Sequence, residues 1–280
     1  DKPSGMRAYY REKVMRDDKC MIFSEAVLEI AKASYTSSNK IERTKILKGR
    51  KVTNIQMQDT VVLKIRSGVN TMLQLDIINH PPDFLTPNFY TDYELTFVDM
   101  ISYNDRLVNV ISFKPKEHVE ETLFNGELYI DQETYAIVAA DFKYDPKRIK
   151  REQAMFVQKK SRNIKMRPTS TMYHVEYTLN GDKYYLNQVK GEVKFKVRKK
   201  KQWIASKYKI NLEMAVTNFS PGNPPRIRLS EQTRPSTILA EESFEYDPDF
   251  WGVYNIIQPE TDLKETLKRI EKSLREITNE

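Results

Sequence analysis

Residues 173–198 read YHVEYTLNGDKYYLNQVKGEVKFKVR, and the fold follows from how this stretch alternates. Tyr173 to Leu179 carries apolar side chains at every second position, and Lys183 to Val189 follows it across Asn180-Gly181-Asp182. Asn-Gly supplies the positive φ angles a tight hairpin needs, so the pair reads as strand, turn, strand. From Gly191 to Arg198 the period of two is sharper still. Val193, Phe195 and Val197 alternate with Glu192, Lys194, Lys196 and Arg198, which predicts one dry face and one wet face. Trp203 to Thr217 returns around Lys199-Lys200-Lys201-Gln202, with Tyr208, Ile210, Leu212 and Met214 on one face.

The same rhythm extends towards the N-terminus. Gly126 to Ile130 runs into Asp131-Gln132-Glu133, and Thr134 to Tyr144 returns. Tyr93 to Val98 and Leu107 to Phe113 form another pair around Ser102-Tyr103-Asn104-Asp105, and Pro115 ends it. Thr60 to Ile65 is a further strand candidate, stopped by Ser67-Gly68. Successive hairpins with no helix between them argue against βαβ units and predict an antiparallel meander.

Helices are expected only at the margins. Met6, Tyr9, Tyr10, Lys13 and Val14 fall at helical spacing, so Met6 to Asp18 reads as a short amphipathic helix. Cys20 to Tyr35 suits either state, with strand favoured for its first half. Asn70 to Ile78 reads as a short helix, which His80-Pro81-Pro82 stops because proline lacks an amide proton and restricts its predecessor. Asp262 and Glu265 open a capping-box-like start, and Leu263, Leu267, Ile270, Leu274 and Ile277 make an apolar stripe, predicting a helix over 262–277. Ser220 to Pro235 is a Pro-rich loop. With no low-complexity linker and no repeat beyond the hairpins, residues 1–280 read as one β-rich domain.

The fold class expected is therefore mainly β. It is a strongly curved antiparallel sheet, or incomplete barrel, with a few amphipathic helices on its concave face or edge. With 16 tyrosines and 8 glycines, the composition suits aromatic strands rather than glycine-rich nucleotide loops. The net charge of +7 favours solubility and attraction to anionic surfaces, without bearing on fold. The single cysteine, Cys20, makes an intrachain disulfide impossible and reads as a small buried hydrophobe beside Met21, Ile22 and Phe23. No apolar run is long enough for a membrane-spanning helix. The start, Asp1-Lys2-Pro3-Ser4-Gly5, lacks a basic region followed by an apolar one and reads as the edge of a processed chain.

Residues that could carry chemistry give little. His80, His118 and His174 have no second ligand at zinc spacing, so no metal site is expected. Asp131 and Glu133 occupy a turn, where Asp bonds nearby backbone, rather than an acid/base pair. Asp99, Asp105, Asp141 and Asp145 lack the spacing of a calcium loop. No GxSxG, P-loop or GxGxxG string occurs. The basic runs 147–151 and 198–201 could meet phosphates, but Asp and Glu are mixed throughout, so the expectation is against nucleic acid; an anionic membrane surface is the better match of the two. Neither catalysis nor a cofactor is expected.

The strings YYREKVMRDD (9–18), SEAVLEI (24–30), RTKILKGRK (43–51), LYIDQETYAIVAADF (128–142) and FEYDPDFWGVYNIIQPE (244–260) resemble a family of Bacteroidetes envelope proteins. These are usually labelled carboxypeptidase-regulatory-like domain-containing proteins. The resemblance concerns the family's long C-terminal region, not the small N-terminal β-sandwich that gives the label, and it implies no peptidase activity. Gly126 to Asp131 with its return strand is also similar to lipoprotein carriers of the Lol type, which implies an incomplete barrel with helices over its concave face. Both resemblances imply a location in the periplasm or at the outer membrane.

On this reading the expected function is non-catalytic binding of a lipid or other apolar ligand in the half-barrel. Leu128, Ile130, Val193, Phe195, Tyr208 and Ile210 are the candidate wall, with Trp251 at its rim. The aromatic string 244–252 has a second reading, as packing across an open sheet. The alternative function is a structural or protein-interaction module of the envelope whose core its own side chains fill.

Overall fold

Tight turns between long strands build this molecule. In the computed structural model, residues 2–39, 41–53, 63–65, 68–160, 162–200 and 202–234 are described, together with Leu239, Glu242 and Phe244. In chain order the strands are β1 (Ser4–Arg16), β2 (Lys19–Lys32), β3 (Glu42–Thr53), β4 (Leu63–Ile65), β5 (Tyr93–Tyr103), β6 (Arg106–Pro115), β7 (Phe124–Asp131), β8 (Ile137–Tyr144), β9 (Val157–Lys160), β10 (Ile164–Asn180), β11 (Lys183–Lys199) and β12 (Ser206–Pro221). Ten of them form one antiparallel sheet in the order β3-β2-β1-β12-β11-β10-β8-β7-β6-β5, while β4 and β9 pair separately. The large sheet does not close on itself: it is a half-barrel whose free edges are β3 and β5.

Turn chemistry explains the hairpins. Asp17 and Asp18 adopt φ of 46° and 63°, and Asn104 and Asp105 adopt 49° and 61°, the paired left-handed conformations that match strand twist. Between β10 and β11, Asn180 still pairs with Lys183, so the turn centres on Gly181, at φ 66°, and Asp182.

The N-terminal helix expected over 6–18 is instead β1. Met6, Ala8 and Tyr10 point into the main core while Tyr9 and Arg11 are buried on the opposite face, so apolar and charged residues occur on both faces and blur the period of two. The strand favoured after Cys20 extends to Lys32. The two strands expected on either side of Lys190-Gly191 are one 17-residue strand, β11. Gly191 is not a break: the Tyr173 ring lies over the place its side chain would occupy. The helix expected over Asn70–Ile78 is shorter, α1 (Val69–Gln74): it ends at Leu75, before the Asp76 loop, and a second short helix is α2 (Gln153–Phe156). The expected helix over 262–277 and residues 60–62 of the fourth strand candidate lie outside the described residues.

One face of the sheet, the inner face, carries the main core. Tyr10, Val175, Val189, Phe195 and Met214 from the central strands meet Met72, Leu73 and Ile77 from α1 and the segment after it. A short 3-10 turn, Asp83–Leu85, adds Phe84, which stacks on Phe113 at 4.1 Å between ring centres. α1 thus covers the inner face over β11 and β12.

Candidate functional site

Register places the predicted wall. Val193 pairs with Ile210 and Phe195 with Tyr208, the two rings stacked at 5.5 Å, and Leu128 and Ile130 stand two residues apart on β7. All six share the inner face. Val193, Phe195, Tyr208, Ile210 and Leu128 are buried in the main core, and Ile130 packs against it half-buried. They form two groups, one on β11–β12 and one on β7. Trp251 lies outside the described residues.

The inner face continues past its cover on the β5 side. Leu95 faces Phe113 and Phe97 faces Ile111 across the β5–β6 ladder, and beyond a bulge Met100 faces Asn109. Phe113 is buried, yet Leu95 and Phe97 are 63% and 60% exposed, and Met100 and Leu107 stand open beside them. Alternation marks these residues as strand but cannot show that nothing described lies over them. A cavity of about 480 Å³ opens on the same face between Gln74–Pro82 and β7–β8. Leu75, Ile77, Pro81, Pro82, Phe124 and Phe142 make it largely apolar, with Gln74, Asn79 and His80 as its polar groups.

What holds the segment over this cavity is a buried polar clamp that the sequence does not disclose. The Asp76 carboxylate sits fully buried after α1. It accepts hydrogen bonds from the Tyr177 hydroxyl at 2.7 Å and the Tyr35 hydroxyl at 3.2 Å, and it pairs directly with the Lys32 ammonium. Glu42 stands 3.6 Å from the same ammonium. Burial alone would push the Lys32 amine down, but Asp76, Tyr35 and Glu42 outweigh it and hold the group charged. β2, β3 and β10 are thereby tied to one loop.

A larger cleft of about 1060 Å³ lies at the end of β6–β8, lined by Ser112, Lys114, Glu127, Asp141 and Lys143 of the opposite face and by loop residues. Its lining is rich in charge, with Lys114, Lys116, Lys143, Lys147 and Arg148 beside Glu117, Glu127, Asp141 and Asp145. Lys114 meets Glu94 at 3.1 Å, and the Arg148 guanidinium donates to the Glu121 carbonyl at 2.8 Å. Size alone therefore does not make it the ligand site; apolar sites are defined by lining as well as volume.

Two of the histidines stand against carboxylates. His80 lies 3.2 Å from Glu42 at the cavity mouth. His174 bonds Asp141 at 2.8 Å, and that bond, with Glu176 nearby, raises its pKa to about 9. A histidine protonated at neutral pH cannot serve as a general base, so this is an ion pair on the outer face. Asp131 caps its turn by accepting from the Glu133 and Thr134 amides, and the Arg106 guanidinium, the strongest influence on it, keeps its carboxyl ionised. Among the described residues, no group of three His, Cys, Asp or Glu side chains is placed to hold a metal. Cys20 is half-buried against Phe23 and Val52, and burial pushes its thiol up.

Sheet, clamp and open wall define the class: an open antiparallel half-barrel with minor helices on its inner face. No family model matches the chain, and no curated protein matches it. Among solved structures, the chain is similar to an outer membrane lipoprotein-sorting protein domain from Vibrio parahaemolyticus, with TM-score 0.29 and 8% identity over 80% of this chain and 87% of that one. A DUF1329 family protein from Desulfovibrio piger aligns with TM-score 0.27 and 12% identity over 79% and 85%. Lipovitellin aligns with TM-score 0.37 and 9% identity over 81% of this chain and 26% of that one. At these scores the likenesses carry no argument about function.

Proposed function

We propose that this chain is a non-catalytic binding protein of the bacterial cell envelope that holds a lipid or other apolar ligand on its inner wall. The observation that carries this reading is the inner face at Leu95, Phe97, Met100 and Leu107, which is exposed and which no described segment covers. Contiguous exposed apolar side chains mark protein, membrane or ligand-binding surfaces. Leu128 and Ile130 continue that wall, the cavity under His80–Pro82 lies on the same face, and Val193, Phe195, Tyr208 and Ile210 back it from the core. Burying acyl chain contributes about 0.8 kcal/mol per methylene, so roughly ten methylenes offer micromolar affinity before association costs. The envelope location rests on the resemblance of 128–142 and 244–260 to Bacteroidetes envelope proteins.

Native mass spectrometry of protein purified from a bacterial envelope, with organic extraction, tests this directly. A discrete added mass that extracts as lipid is expected. A bare polypeptide mass, unchanged after incubation with envelope lipids, would overturn the proposal. One observation favours a second reading, a protein-interaction module: β5 offers 11 residues of free strand edge, which a partner's strand could extend.

A further inference from the structure

The outer face of β10–β12 carries a charge arrangement that folding alone does not favour. Arg167, Lys196 and Lys207 stand opposite one another across the three strands. One step along, Lys194 faces Lys209, and Lys165 faces Arg198. Like charges directly opposite on a sheet destabilise it. Among the described residues, the carboxylate paired within this set is Glu192, 2.7 Å from Lys194.

The hairpin tip at one end of this stripe adds a second, independent feature. Between β11 and β12, Trp203 is 96% exposed and Ile204 is 84% exposed. The acidic Asp17 at the same rim is answered by Arg16 at 3.6 Å and by the Lys207 amide. Tryptophan favours the boundary between water and hydrocarbon, and cations beside it favour anionic headgroups.

We propose that the β11–β12 tip and the basic outer face of β10–β12 dock on an anionic lipid bilayer, with Trp203 and Ile204 entering the headgroup region. Charge complementarity selects the membrane, and the aromatic–aliphatic tip selects it over a nucleic acid. A single-stranded nucleic acid would need aromatic platforms repeated along the basic face, whereas Met172 and His174 follow the cations on β10. The surface lies on the opposite side of the sheet from the inner wall, so it holds whether or not that wall carries a ligand.

The test is co-sedimentation of the full chain with phosphatidylcholine vesicles, with and without phosphatidylglycerol. Binding is expected only to the anionic vesicles and weakens with salt. Trp203→Ser with Ile204→Ser lowers it, and the blue shift in emission on binding is lost in Trp203→Phe. Lys196→Gln and Lys207→Gln each weaken binding on the order of fivefold at low salt. Both leave the melting temperature unchanged or raise it, because they relieve repulsion; a purely structural role would not produce that combination. Failure to sediment with anionic vesicles at low salt overturns the proposal, as does binding indifferent to Trp203→Ser and Lys196→Gln. An oligonucleotide that binds, and is lost in Lys196→Gln, while vesicles do not bind, assigns the face to nucleic acid instead.

Discussion

Asp76 ties distant segments together, since two tyrosine hydroxyls and a buried ammonium all turn to it. Removing one member of a buried pair strands the other, at a cost of about 3–5 kcal/mol. Asp76→Ala is expected to lose that much in urea unfolding, and Asp76→Leu with Lys32→Met to recover most of it. His174 behaves differently because part of it is wet. Its pKa rises from 6.5 to about 9 in the folded state, chiefly through Asp141. The stability it contributes is therefore complete below about pH 6.5 and is lost as pH rises towards 9. An NMR titration of its ring protons should place the midpoint near that value, and in His174→Gln the decline of melting temperature across that window should flatten.

Among the elements, β5 separates binding from stability. Phe97→Asp alters an exposed side chain, so stability should move by no more than about 0.5 kcal/mol. A lost Phe contact of about 1.5–3 kcal/mol should nonetheless weaken a fluorescent fatty-acid probe roughly ten- to hundredfold. An unchanged affinity would move the ligand off this wall. Gly126 on β7 is the opposite case: a side chain there would fall on the Asp141 carbonyl oxygen of β8, so Gly126→Ala should cost about 1–3 kcal/mol in denaturant unfolding. These elements also show what a sequence can convey. Asn104-Asp105 and Gly181-Asp182 announce their hairpins because backbone conformation is local, and alternation by itself puts Val193, Phe195, Tyr208 and Ile210 on one face. β1 reads as a helix because Tyr9, buried among Arg7, Arg11 and Lys13 on the second face, breaks the alternation and leaves Met6, Tyr9, Tyr10 and Val14 at helical spacing. Lys32 and Asp76 lie 44 residues apart, and nothing local links them. Whether a face is covered, as at Phe113, or open, as at Phe97, depends on which segment returns over it, which alternation does not encode.

Across the whole molecule, cohesion falls from the middle of the sheet to its β5 edge. β10, β11 and β12 are the longest strands and are paired on both sides, whereas β5 has one partner and a largely exposed face. Hydrogen exchange should accordingly be slowest in β11 and β12 and fastest along the free edge of β5, where a bound apolar ligand slows it. The strand order has a consequence for biosynthesis. β1 sits between β2 and β12, and at that junction Asp17 meets Lys207 across 190 residues of chain. A ribosome adding about 5–20 residues per second needs roughly 10–40 s to cover that distance. For that interval β1 to β3 exist as a sticky three-stranded fragment whose inner edge has no mate, so a nascent chain crossing a membrane would depend on a holding chaperone until its C-terminal third arrives.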